Sequence, residues 1–203
     1  MSDLVFYTNP MSRGRIARWM LEEVGEPYDV RLVDWVNKPD DFLAANPMAK
    51  VPTIIHKGRV VTECAAIIAY LADTFPNAAL APTDRERADY YRWMFFAAGP
   101  LEAATTNRSL GVVPTEEQQG MVGYGTLDRV VEALKQAVTT HSFIAGDRFT
   151  AADVYVGSHI GWGLQFGSLP KCGEFDTYLA RINDRPAAVR ARELDDALIA
   201  AAG

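Results

Sequence analysis

Strand-like runs are confined to the first 61 residues of this 203-residue chain. Leu4–Tyr7 is a short apolar run, and Tyr28–Val33 alternates. Thr53–His56 and Arg59–Val61 are β-rich and joined by Lys57-Gly58, a two-residue hairpin signal. Helical patterns separate them. Ser12–Val24 carries Ile16, Trp19, Met20 and Val24 at helical spacing and stops at Gly25. Pro39–Ala45 is a short helix, and Glu63–Phe75 sets Ala66, Ile67, Tyr70 and Leu71 on one side. Pro76-Asn77 and Ala81-Pro82-Thr83-Asp84 then break the pattern, and no strand signal returns.

Such an order confines the fold. A βαβ unit followed by αββ and a last helix gives a four-stranded mixed sheet with helices on both faces. The expectation is an α/β thioredoxin-like N-terminal domain (βαβαββα) over residues 1–76, a linker over 77–84 and an all-α domain over 85–203. Helices are expected at Arg85–Ser109, kinked or broken at Pro100, and at Thr115–Thr139, Thr150–Phe166, Glu174–Asn183 and Ala187–Ala201. Thr150-Ala151-Ala152-Asp153 is a capping box, with Phe149 and Val154 at the staple positions. It says how a buried helix starts, not what the chain does.

Composition excludes several functions. The chain is 49% hydrophobic and 23% charged, enough for a packed core. Its net charge of -6 argues against nucleic acid as the main partner. No apolar run approaches the ~18 residues of a membrane-spanning helix. The two cysteines, Cys64 and Cys172, make neither a disulfide framework nor a zinc site. His56, His141 and His159 are not at metal-ligand spacing, so no metal is expected. No leader pattern opens the chain, and the expected address is the cytoplasm. Ser12 lacks the Gly-x-Ser-x-Gly elbow of a serine hydrolase.

The functional signal lies where the first strand runs through Thr8-Asn9-Pro10-Met11 into a helix opened by Ser12-Arg13-Gly14-Arg15. Val51-Pro52-Thr53 and Thr62-Glu63 follow at set distances. A hydroxyl at a helix start, beside a Pro-fixed segment and a later acidic helix start, suits a small anionic ligand. Four segments, Phe6–Arg13, Asn46–Thr53, Thr62–Leu71 and Gly146–Asp153, together resemble the cytosolic glutathione S-transferases, of bacterial serine-, theta- or beta-like type. Each is weak alone. In this order and spacing they are specific, and they cover both domains.

The resemblance implies glutathione as co-substrate. Val51 would pair its backbone with the cysteinyl part, Pro52 would be cis, and Glu63 with the Cys64 amide would receive the γ-glutamyl end. Lys50 would reach the glycyl carboxylate, and Arg13 would add positive potential. Ser12 matches the catalytic hydroxyl of serine-type members, and Tyr7 matches the hydroxyl that other classes use. Of the two, Ser12 is placed ahead, since the Tyr7 ring, five residues earlier on the strand, also reads as core packing. Cys64 departs from the serine that many members carry, and a thiol is the poorer donor. The implied partner molecules are glutathione and an apolar electrophile, with a homodimer as the implied assembly and detoxification as the implied role. Peroxide reduction, isomerisation or dehalogenation on the same site, and a non-catalytic partner-binding protein of the same fold, are the alternatives.

Energetics say why a hydroxyl is needed. Lowering a thiol pKa from ~8.5 to ~6.5 takes about 2.7 kcal/mol in favour of the thiolate. A helix N-terminus supplies roughly 0.3–1 kcal/mol, and up to ~2 when partly buried. A hydrogen bond to a charged acceptor adds roughly 1.5–3 kcal/mol, which closes the gap.

Overall fold

Contacts divide the chain, for which a computed structural model describes residues 2–202, into two compact units. One runs to Ala81 and is completed by the residues from Asp184 on; the other is Pro82–Asn183.

The first unit is built on a four-stranded sheet of order β2-β1-β3-β4. β1 (Leu4–Thr8) pairs in parallel with β2 (Asp29–Leu32) and antiparallel with β3 (Thr53–His56), which pairs antiparallel with β4 (Arg59–Val61). Helix α1 (Gly14–Val24) makes the crossover between β1 and β2. It buries Ile16, Ala17, Trp19, Met20 and Leu21, and left-handed Gly25 ends it by donating to Leu21 O at 3.0 Å. The short helix α2 (Asp40–Ala45) precedes β3, and α3 (Cys64–Thr74) packs against α1. The expected thioredoxin-like order βαβαββα is present.

Strand β1 lies in the middle of the sheet, and its side chains alternate between two faces. Phe6 points to the α1 face, where the Arg18 guanidinium lies 5.4 Å from its ring. Tyr7 points to the opposite face, where it forms a cluster with Val33 and Phe42.

The expected domain boundary put 85–203 into one helical domain. Here the last helix, α9 (Pro186–Ala202), packs on α1 in the first unit. Ion pairs join the two helices. Arg18 Nε donates to Asp195 Oδ1 at 2.7 Å, with the two side chains only 2% and 1% exposed. Arg185 donates through Nε and Nη2 to the two Glu23 oxygens, both at 2.7 Å, and Arg190 pairs with Glu22. Nothing in the local pattern of 187–201 distinguishes such a helix from one packed among the other helices.

In the second unit the expected helix over 85–109 is three pieces: α4 (Arg87–Phe96), a π-helical turn Ala97–Leu101 and α5 (Glu102–Ser109). Pro100 has no N–H for the ladder, and the widened turn absorbs it. The helix expected over 115–139 shortens to a 3₁₀ turn at Gln118–Gly120 and α6 (Leu127–Thr140). Gly125 at φ 65 interrupts it, and the Thr126 side chain accepts the Arg129 N–H as the new cap. α7 (Ala151–Phe166) and α8 (Gly173–Ile182) complete the unit. The Thr150–Asp153 capping box is formed. Fully buried Asp153 also accepts from Ile144 N and from Tyr178 OH, each at 2.8 Å.

Removing one member of the α1–α9 pair tests what seats the last helix. Arg18→Met leaves Asp195 buried without its counter-charge, and urea denaturation should show a loss of about 3–5 kcal/mol. Adding Asp195→Leu should restore most of it, because two apolar side chains replace a buried pair at little cost. A double variant as unstable as the single would show that the pair itself is required.

Candidate functional site

Three chain reversals meet at one end of the sheet. β1 and β2 end there together, with Thr8 opposite Leu32 and Val33 N–H bonded to Thr8 O at 2.8 Å. β3 begins there, with Thr53 opposite Tyr7. The β1–α1 turn therefore lies beside the loop that carries Val51 and Pro52. α3 joins them through the Cys64 thiol, which donates to Arg13 O at 3.8 Å.

The β1–α1 turn is tied by its own polar residues. Asn9 Nδ2 donates to Val33 O at 3.0 Å, and Asn9 Oδ1 accepts the Met11 N–H at 2.9 Å. Ser12 is half-buried just before α1. Its hydroxyl donates to Asn9 O at 2.6 Å and accepts the Gly14 N–H at 2.9 Å. Ser12 thus satisfies one of the orphan donors of the helix start. Arg13 is exposed.

Gly14 is required by close approach. A Cβ there would lie 1.9 Å from Thr8 Oγ1 and 3.1 Å from Ser12 Oγ. Thr8 is fully buried, and its hydroxyl has no hydrogen-bond partner among the described residues. The alternation of β1 sends it, like Phe6, towards α1.

The Val51 loop is held from inside by Asn46, 3% exposed. Asn46 Nδ2 donates to Lys50 O at 2.8 Å and to Thr53 Oγ1 at 3.0 Å, and Oδ1 accepts the Met48 N–H at 3.1 Å. The Val51-Pro52 peptide bond is cis. No hydrogen bond among the described residues engages the Val51 N–H or carbonyl. The Lys50 side chain is exposed. Glu63 is exposed at the start of α3 with φ 62 and ψ 118. That conformation costs a non-glycine residue about 1–3 kcal/mol and is met mostly at functional sites.

Of the residues singled out from the sequence, Ser12, Arg13, Val51, Pro52, Glu63 and Cys64 gather at this end, and Lys50 lies on the same loop. Tyr7 stands at the same end, but its side chain turns to the other face of the sheet. Its ring is 4% exposed against Phe42, and its hydroxyl donates to Asp41 Oδ2 at 2.9 Å. Cys64 is buried, and its thiol is turned to the Arg13 carbonyl. Sequence reasoning gave no role to Asn46, Thr8 or Asp41. A buried polar residue and a solvated loop residue look alike in a sequence.

The histidines are structural or exposed. His56 Nδ1 meets Tyr70 OH at 2.9 Å, and His159 Nδ1 lies 3.7 Å from Glu102 Oε2. No group of residues that would hold a metal ion occurs among the described residues, and no helix is long and apolar enough to cross a membrane. The aromatic run on α4 divides: Tyr90 and Trp93 are core, whereas Phe95 is 71% exposed.

Residues 11–74 match the family described as glutathione S-transferase, N-terminal domain. A glutathione S-transferase of Escherichia coli O157:H7 is 29% identical over 188 residues, covering 89% of this chain and 90% of that protein. Among solved structures, a theta-class glutathione S-transferase of Xanthomonas axonopodis pv. citri with glutathione bound has a TM-score of 0.73. It is 26% identical and is covered over 94% of this chain and 97% of that one. A beta-class enzyme of Sphingomonas chungbukensis is similar at a TM-score of 0.74 and 26% identity, over 94% and 98% of the two chains.

Substitution at Gly14 probes the tightest contact of the site. Gly14→Ala drives a methyl onto the Thr8 hydroxyl and should cost about 1–3 kcal/mol in chemical denaturation. Thr8→Ala in the same chain should recover part of the loss. An alanine at 14 with no effect on stability would contradict the contact.

Proposed function

Because the chain belongs to the glutathione S-transferase superfamily, we propose that it activates the thiol of glutathione for attack on an electrophilic carbon of an apolar substrate. Glutathione is the co-substrate. The observation that carries this reading is the meeting of the Ser12 turn, the Val51-Pro52 loop and the start of α3 at one end of the sheet.

The parts take complementary tasks. The unengaged Val51 peptide edge is suited to pair with the backbone of the cysteinyl residue, as an added strand. The first turn of α3 offers backbone N–H groups to the γ-glutamyl carboxylate. Glu63, held in its unusual conformation beside that turn, is suited to the γ-glutamyl amine. The burial of the Cys64 side chain supports a grip by its amide and not by its thiol. Lys50 is the cation nearest in sequence to the Val51 edge and is assigned to the glycyl carboxylate.

Ser12 is assigned the thiolate. Its hydroxyl proton rests on Asn9 O, and it must turn to reach sulfur. Giving up that neutral bond costs about 0.5–1.5 kcal/mol, whereas a bond to a charged acceptor returns roughly 1.5–3. Exchange is favourable only once the sulfur is ionised, so the hydroxyl selects the thiolate over the thiol. The Gly14 N–H that Ser12 accepts keeps the oxygen in place during the turn. Arg13 would add positive potential beside it. A homodimer, a cytoplasmic address and a role in detoxification belong to the same reading and rest on the family resemblance.

Ser12→Ala removes the donor and leaves the other contacts. The pKa of the bound thiol, followed by thiolate absorbance, should rise by about one to two units. The turnover number near neutral pH should fall roughly ten- to hundredfold, with less than about a threefold change in glutathione affinity. Wild-type turnover and thiol pKa in this variant would remove Ser12 from the role.

A further inference from the structure

Tyr7 stands at the end of β1 where the site forms, and thiolate chemistry leaves it without a task. What it touches is the segment that leads to Val51. Its hydroxyl donates to Asp41 Oδ2 at 2.9 Å, while Asp41 Oδ1 accepts the Phe42 N–H at 2.8 Å. Its ring meets the Phe42 ring with centroids 5.5 Å apart. Ala49 and Val51 pack on the same cluster of Tyr7, Val33 and Phe42. One side chain of the central strand thus holds both the start of α2 and the loop that ends in Val51-Pro52.

Segment 40–51 needs such an anchor. α2 has six residues and no side-chain cap, too short to be stable alone. Phe42 is its one buried residue. From α2 the chain passes directly to Asn46, which grips Lys50 O and Thr53 Oγ1. A loosened α2 would therefore loosen the Asn46 network and the Val51 edge with it.

Resting on the glutathione reading above, we propose that Tyr7 is a positioning residue: through Asp41 and Phe42 it holds α2 and Val51 in the geometry that receives the glutathione backbone. It is not the thiolate donor, because the alternation of β1 turns it away from the face on which Thr8 and Gly14 meet. Burial, followed by the Asp41 hydrogen bond, raises the Tyr7 pKa above its ordinary value. The phenol therefore stays a neutral donor to the Asp41 carboxylate.

The effect belongs to affinity. A segment ordered only part of the time weakens apparent binding in proportion to the fraction lost. Tyr7→Phe should weaken glutathione binding by about three- to tenfold, as measured by calorimetry. The turnover number at saturating glutathione and the pKa of the bound thiol should match the wild type. Amide hydrogens of residues 40–51 should exchange faster with or without glutathione. Asp41→Ala, which alters an exposed residue and leaves the β1 core intact, should reproduce all of this. The double variant should be no worse than either single one. A Tyr7→Phe protein that binds glutathione like wild type overturns the inference. A raised thiol pKa or reduced turnover at saturation also overturns it, and returns Tyr7 to the donor role. A wild-type protein that does not bind glutathione overturns the functional reading and this inference together.

Discussion

Strand β1 is paired on both edges, and its side chains therefore have only two directions available. Leu4, Phe6 and Thr8 share one face and Val5 and Tyr7 the other. That constraint organises the rest of the first unit. On one face Phe6 receives the Arg18 guanidinium, and the Thr8 hydroxyl sits where a Gly14 side chain would be. On the other, Tyr7 collects Val33, Phe42, Ala49 and Val51. A shift of one residue in the β1–β3 register would exchange the two sets and take the site apart.

The buried Arg18–Asp195 pair follows from the same face. Arg18 lies under Phe6 and must find a counter-charge out of water, and Asp195 on the last helix supplies it. The first unit therefore joins residues about 180 positions apart in sequence. Arg15, one turn before Arg18, adds a second tie to Asp196 at 2.6 Å. An exposed pair of this kind contributes little stability alone.

Much of the fold was legible in the sequence because it is written in short-range patterns. β1, the Lys57-Gly58 hairpin, the Gly25 stop and the Thr150–Asp153 box all follow from neighbouring residues. The errors fell where distant contacts or backbone conformation decide. Glycines at 120, 123 and 125 divided a helix that apolar spacing alone would continue. Pro100 was recognised as a break, but whether it kinks, ends or widens the helix depends on the packing around it. That Ser12, Pro52 and Glu63 belong together was proposed from their order and spacing, and the structure gathers them at one end of the sheet. Asn46, which holds the loop, was not legible, since its burial is set by the sheet.

The sequence by itself determined that a hydroxyl-bearing strand–helix turn, a Pro-fixed edge and an acidic helix start occur in an order that suits a small anionic ligand. Local chemistry suffices for that, since each part is a few adjacent residues. Which strand face each of the two hydroxyls takes was decided only by tertiary structure. Ser12 and Tyr7 are five residues apart, and both are plausible until β1 is paired and its faces are assigned. Pairing sends Tyr7 to Asp41 and leaves Ser12 at the mouth of α1. The ownership of the last helix was decided in the same way, by a buried charge whose partner lies at the far end of the chain.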